Sequence, residues 1–174
     1  MDQPVSKSLE IIIPAFRMHT QMFDNILAGV ETKDVLKRIE GRTNHIVWMA
    51  GNLVNCRYWL AGILGIAETD PNSSFFENAR ALDEKLDYPS LDVLKKEWHT
   101  ISPKLYKRLL SISEEELHEP YAFGMKVEFV TENKLNMVGM ATDRVGYLFG
   151  QLGLMRRILG YEGVRYDINE KLNY

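Results

Sequence analysis

Apolar residues recur at the 3.6-residue period of an amphipathic helix in four long segments of the chain. The first runs from about Pro4 to Ala28, with Leu9, Ile12, Ile13, Phe16, Phe23, Ile26 and Leu27 on one stripe. The second opens near Thr43 or Asn44 and continues to about Ile66. Its stripe passes through Trp48, Met49, Asn52, Asn55, Cys56, Trp59, Leu60 and Ile63. Ser90 reads as the N-cap of the third, "LDVLKKEWHTISPKLYKRLLSI", in which Pro103 kinks the axis without ending the period. The fourth opens near Thr131 and runs to about Leu159, where Gly160 supplies a C-terminal stop.

Between these segments the pattern changes. Thr32 reads as the N-cap of a short helix, "TKDVLKRIE", that ends near Gly41. The stretch "AETDPNSSFFENARALDEKLDYPS" breaks the period, with turn signals at Asp70-Pro71 and Asp87-Tyr88-Pro89 and room for one short helix near Glu77–Leu86. Ser113 followed by Glu114, Glu115 and Glu116 is a capped acidic turn. "GMKVEFVT" alternates apolar and charged positions, which predicts an extended segment or short strand. No internal repeat interrupts this order. The pattern predicts an all-α fold, a four-helix bundle with a long crossover between helices 2 and 3 and a short helix after helix 1, in one domain spanning residues 1–174.

Composition narrows the function classes. A chain of 174 residues, 45% hydrophobic and 26% charged, buries a core without disulfides or metals. A net charge of −3, with no run of lysine or arginine longer than two, argues against nucleic acid as a partner. One cysteine, Cys56, excludes an intramolecular disulfide and suits a reducing compartment. The N-terminus does not read as a signal peptide, and no uncharged apolar stretch reaches the roughly 18 residues that span a bilayer. A cytoplasmic protein with no membrane or nucleic-acid partner is the expectation.

The segment "GYLFGQLGLMRRILGYEG" places Gly146, Gly150 and Gly153 inside an apolar helical run. Each costs roughly 1 kcal/mol relative to alanine. They advance by four and then three residues and so share a face, which predicts a close approach of helix four to a neighbour.

Candidate chemistry lies in polar residues on apolar stripes. Asn52 and Asn55 stand three apart on helix two, on the face of Trp48 and Trp59. Arg144, Leu148, Gln151 and Met155 form one line along helix four, and His19 lies between Phe16 and Phe23 on helix one. An inward arginine cannot be neutralised; it needs a carboxylate, several carbonyls, a wet cavity or an anionic ligand, unless its stem reaches water from the helix flank. The asparagines equally suit interhelical hydrogen bonds, His19 a satisfied core histidine, and Cys56 a small buried hydrophobe. No H-x-x-x-H or C-x-x-C pair, nucleophilic triad or phosphate-binding glycine loop occurs.

"TNHIVWMAGNLVNCRYWLAGILG" (residues 43–65) and "DRVGYLFGQLGLMRRILG" (residues 143–160) together resemble the second and last helices of the DinB-like family. That family's second helix carries a tryptophan shortly before a Gly-His pair. Its last helix carries two histidines four apart, then Gly-Gln. The resemblance implies a four-helix bundle, a homodimer, and a divalent metal held by three histidines in what is labelled a putative metal-dependent hydrolase family. Gly51-Asn52 and Gly150-Gln151 fix the alignment, and the three ligand positions fall on Asn52, Arg144 and Leu148. None of these is a histidine, so neither a bound metal nor another cofactor is expected. The expectation is a retained pocket in which Arg144 binds a small anion, flanked by Asn52, Asn55, Gln151 and His19. This describes a metal-free binding protein or pseudoenzyme. The alternatives are a metal- or thiol-dependent transferase or hydrolase with non-standard ligands, and a structural or interaction module. Phe75 and Phe76 suit either a dimer contact or a crossover tucked against the helices.

Overall fold

The computed structural model describes residues 3–77, 80–124 and 127–174. Its α-helices among these residues are α1 (Ile12–Leu27), α2 (Ile46–Ile63), α3 (Leu91–Ser111), α4 (Glu114–Leu117) and α5 (Lys134–Ile158). The fold is all-α, and the described residues contain no strand, only an isolated bridge between Pro120 and Asn133. No helix among the described residues is long and apolar enough to cross a membrane.

Helix ends follow the local chemistry. Ser90, Ser113 and Asn133 cap α3, α4 and α5 by accepting from Val93, Glu116 and Asn136 amides. His45 caps α2 with Nδ1, which accepts from the Trp48 amide at 3.0 Å. Pro14 has no N–H to continue a helix begun at Pro4, so α1 starts two residues before it, after a 3₁₀ turn at Lys7–Leu9. At Gly160, φ is +89°, the left-handed conformation that ends α5.

Three local expectations are corrected. The short helix after α1 is only a 3₁₀ turn at Thr32–Asp34. The backbone beyond it bonds outward instead: the Ile39 amide donates to Thr43 Oγ1 at 2.9 Å, and Val35 O accepts from the Val47 amide at 3.2 Å. The crossover holds a 3₁₀ turn at Ser73–Phe75 and no helix over residues 80–86. There Asp83 forms a side-chain turn, its Oδ1 accepting from the Lys85 amide at 3.0 Å. Part of the expected crossover helix, Asn78 and Ala79, lies outside the described residues, as do Met125 and Lys126 of the expected strand. The rest of that strand is a turn, with the Val130 amide donating to Val127 O at 3.0 Å.

The four long helices divide into two pairs of packing partners. Both α1 and α2 pack against α3 and α5. Their apolar stripes meet around Leu53, Trp98, Ile101, Val138 and Leu152, each no more than 1% exposed. Trp98 stacks on Phe23 with ring centroids 4.3 Å apart. Arg156 closes the far end: its Nη1 donates to the α1 carbonyls of Ile26 at 3.0 Å and Ala28 at 2.6 Å. The tail beyond α5 turns back over α1, where Gln21 and Asn25 hold the backbone of Asn169, Leu172 and Asp167.

The glycines of α5 do not serve a close helix approach. A β-carbon at Gly146 or Gly150 would meet nothing within 4 Å, and one at Gly153 would make an ordinary contact with Val164. The packing glycine is on α2. A β-carbon at Gly51 would stand 2.0 Å from Cζ of Phe76, so the absence of a side chain there seats the crossover's aromatic ring.

Candidate functional site

A cleft of about 1210 Å³ opens where α2 and α5 meet the crossover and the segment before α5. It is somewhat larger than the roughly 300–1,000 Å³ of ordinary small-molecule sites, so a small organic ligand fits with space to spare. Its apolar wall includes Trp59, Phe76, Tyr121 and Phe123. Phe76 is 2% exposed, tucked against Gly51 and ringed by Phe75 and Tyr88. The aromatic pair of the crossover therefore packs inward, and Phe76 has no surface to offer a second subunit.

Arg144 projects from the flank of α5 and is exposed, yet its guanidinium turns over the cleft. Its Nη2 donates to Asn52 Oδ1 at 3.1 Å, and the Asn52 amide group in turn donates to Trp48 O at 3.1 Å. Asn52 is thus a fixed strut for the arginine. One turn on, Asn55 Nδ2 donates to Asp70 Oδ2 at 2.9 Å. Asp70, at the Asp-Pro turn of the crossover, is only 6% exposed, and burial holds its carboxyl above the usual 3.8. Beside it Tyr58 donates to Glu97 at 2.7 Å, and Glu68 pairs with Lys104.

The structure brings together three of the five candidate residues: Asn52, Asn55 and Arg144 line the cleft. Gln151, about two turns further along α5, does not line it. His19 lies apart, in a cavity of about 20 Å³ that it shares with Arg57, Cys56 and Thr142. Its ring tilts against Phe149 at 5.5 Å, and burial with the Arg57 charge lowers its pKa to about 4. His19 is a neutral packing residue at physiological pH. Cys56 is buried, and desolvation raises its thiol to about 11, so it holds its proton.

The positions where the resemblance places metal ligands do not form a donor set. Asn52 gives its oxygen to Arg144, Arg144 is a cation, and Leu148 is a core side chain 2% exposed. Among the described residues no group of three or more His, Cys, Asp or Glu side chains could hold a metal ion.

Two residues carry more than the periodicity assigned them. Arg57 is the deeply buried arginine, 3% exposed, with Cζ 3.5 Å over the Trp98 ring and 4.0 Å over that of Phe16. It donates to Ser102 Oγ, to Thr20 Oγ1 at 2.9 Å and to Phe16 O at 3.3 Å. The signal was present, because Arg57 is the one charged residue in Ile46–Ile63. Asp70 offered none, since a turn has no period from which to read burial. Compared with known proteins, the chain matches no family model, no curated protein and no solved structure.

Proposed function

We propose that this protein is a metal-free small-molecule-binding member of the DinB-like four-helix bundles, and that its ligand carries an anionic group received by Arg144. The observation that carries this reading is the state of Arg144. Its guanidinium is braced by Asn52 at the mouth of the cleft and has no carboxylate partner among the described residues. A guanidinium offers five donors in a planar fork suited to carboxylate or phosphate, and the contact with Asn52 engages one nitrogen. The alignment of α2 and α5 to the family motifs gains support from the same contact. Positions assigned to one metal site, Asn52 and Arg144, touch at 3.1 Å although 92 residues separate them. The pairing of α1 and α2 with α3 and α5 suits a bundle with its crossover between the second and third long helices.

The test follows indole N–H resonances while phenylpropionate, an aromatic carboxylate, is titrated in. Trp59 lines the cleft and its signal shifts; Trp98 lies in the core and its signal stays. In Arg144→Ala the Trp59 shift is lost. A titration unchanged by that substitution overturns the reading.

The outer face of α5 favours a second reading, self-association. Tyr147, Leu154 and Ile158 are 64%, 64% and 50% exposed, and Gly146 and Gly150 beside them leave room for a close neighbour. A homodimer through this face gives twice the monomer mass by sedimentation, and Leu154→Glu returns it to monomer. Monomeric wild-type protein removes this reading and leaves the cleft untouched.

A further inference from the structure

Two opposite charges line one cleft without meeting. Arg144 is held by Asn52 at 3.1 Å, and Asp70 by Asn55 at 2.9 Å. The asparagines are three residues apart on α2, so their β-carbons stand about 5–6 Å from each other. Neither charge forms an ion pair among the described residues. Unlike charges sharing a cleft attract one another more strongly than they would in bulk water. The asparagine pair takes up one partner's reach on each side and keeps the two ends distinct.

Each end still has capacity. A carboxylate offers about four acceptor sites. Asp70 uses one oxygen for Asn55 and the other for the Asn72 amide at 2.8 Å. The surroundings at that end are negative: burial first, then the hydrogen bond to Glu97 and the nearby Asp70 and Glu68 charges, hold the Tyr58 phenol above its ordinary range. The raised Asp70 carboxyl marks a desolvated acid with no cation beside it. The remaining wall is aromatic, through Trp59, Phe76 and Tyr121, which suits both an apolar body and a cationic nitrogen.

We infer that the cleft takes a small zwitterion, its anionic group on Arg144, its cationic nitrogen on Asp70 and an apolar body against the aromatic wall. This rests on the reading of the cleft as an anion-binding site and adds the second charge. The asparagines that hold the two charges stand one helical turn apart on α2, which favours a peptide-like spacing over that of a single amino acid.

Alanyl-phenylalanine and its two capped forms separate the possibilities by calorimetric titration of the full chain. N-acetylation removes the cation, and C-terminal amidation removes the anion. The free dipeptide binds about tenfold tighter than either capped form, the worth of one charge-assisted contact. Asp70→Asn erases the advantage over the acetylated form only, and Arg144→Ala erases the advantage over the amide only. Unchanged affinity of Asp70→Asn for the acetylated form shows that its cleft is intact. Equal binding of the free and acetylated dipeptides, both weakened by Arg144→Ala, overturns the zwitterion and leaves the anion site standing. Equal binding of the free dipeptide and the amide, with Arg144→Ala silent, overturns both. Failure of all three probes to bind also overturns the zwitterion.

Discussion

Arg57 and Arg144 carry the same cation into different surroundings. Arg57, on α2, is enclosed by the rings of Trp98 and Phe16 and by three neutral oxygens, and no carboxylate approaches it among the described residues. Arg144, on α5, stands in water at a cleft with one asparagine oxygen as its partner. The first charge is spread over acceptors and rings that the fold itself supplies, and the cavity of about 20 Å³ beside it has no room for an organic ligand. The second keeps donors that the contact with Asn52 does not engage, and the proposed ligand site rests on that capacity beside the cleft.

The largest effect expected from this contrast is at Arg57. Arg57→Ala removes the filling between Phe16 and Trp98 and the donors to Ser102 and Thr20, and costs about 3–5 kcal/mol in urea unfolding. Arg57→Met, which fills the space with an apolar stem and orphans no carboxylate, recovers most of that loss. Equal losses in the two variants would show that the charge, not the volume, holds the core.

Gly51→Ala comes next. The added methyl collides with Phe76 and pushes the crossover off α2, costing about 1–3 kcal/mol by the same unfolding measurement and reshaping the cleft without touching either arginine. Full retention of stability would mean that Phe76 swings away at no cost.

A smaller effect depends on acidity. His19 has a pKa of about 4 in the fold against 6.5 in the unfolded chain. Between these values the unfolded chain takes up a proton that the native state refuses. The stability that His19 contributes is therefore complete above pH 6.5 and is lost as pH falls towards 4. Unfolding midpoints measured across this range fall with acid in the wild type and less steeply in His19→Gln. Part of the slope that remains belongs to His45, also lowered to about 4, whose Nδ1 must stay unprotonated to accept from the Trp48 amide. At the acid end part belongs to carboxyls such as Glu114, held below its usual range by Ser6 and Ser8.

How far the sequence discloses this contrast varies by element. The four long helices and the caps at Ser90 and Ser113 follow directly from period and residue type. The segment after α1 was not legible, because Thr43 and Val47 claim its backbone groups across a turn that helix propensity ignores. The α5 glycines suggested packing, but spacing on a helix does not say which way the face points, and theirs points outward. Asn52 and Arg144 both stood out as polar residues on apolar stripes, and their side chains meet at 3.1 Å. Gln151 and His19 lay on the same stripes, but lateral displacement along and around the helices takes them out of the cleft. Arg57 sits on a helix buried over most of its circumference, where the period marks a helix but does not single out which residue is deepest.

The central claim is that Arg144 serves a ligand while Arg57 serves the fold. It is tested most directly by urea unfolding of wild type and Arg144→Ala, each with and without phenylpropionate. The unliganded curves should lie within about 1 kcal/mol of each other, the cost of leaving Asn52 Oδ1 to water, well short of the Arg57→Ala loss. The ligand should then move the wild-type midpoint to higher urea and leave that of Arg144→Ala in place. An unliganded Arg144→Ala curve displaced as far as that of Arg57→Ala, or equal ligand shifts in both proteins, would contradict the account.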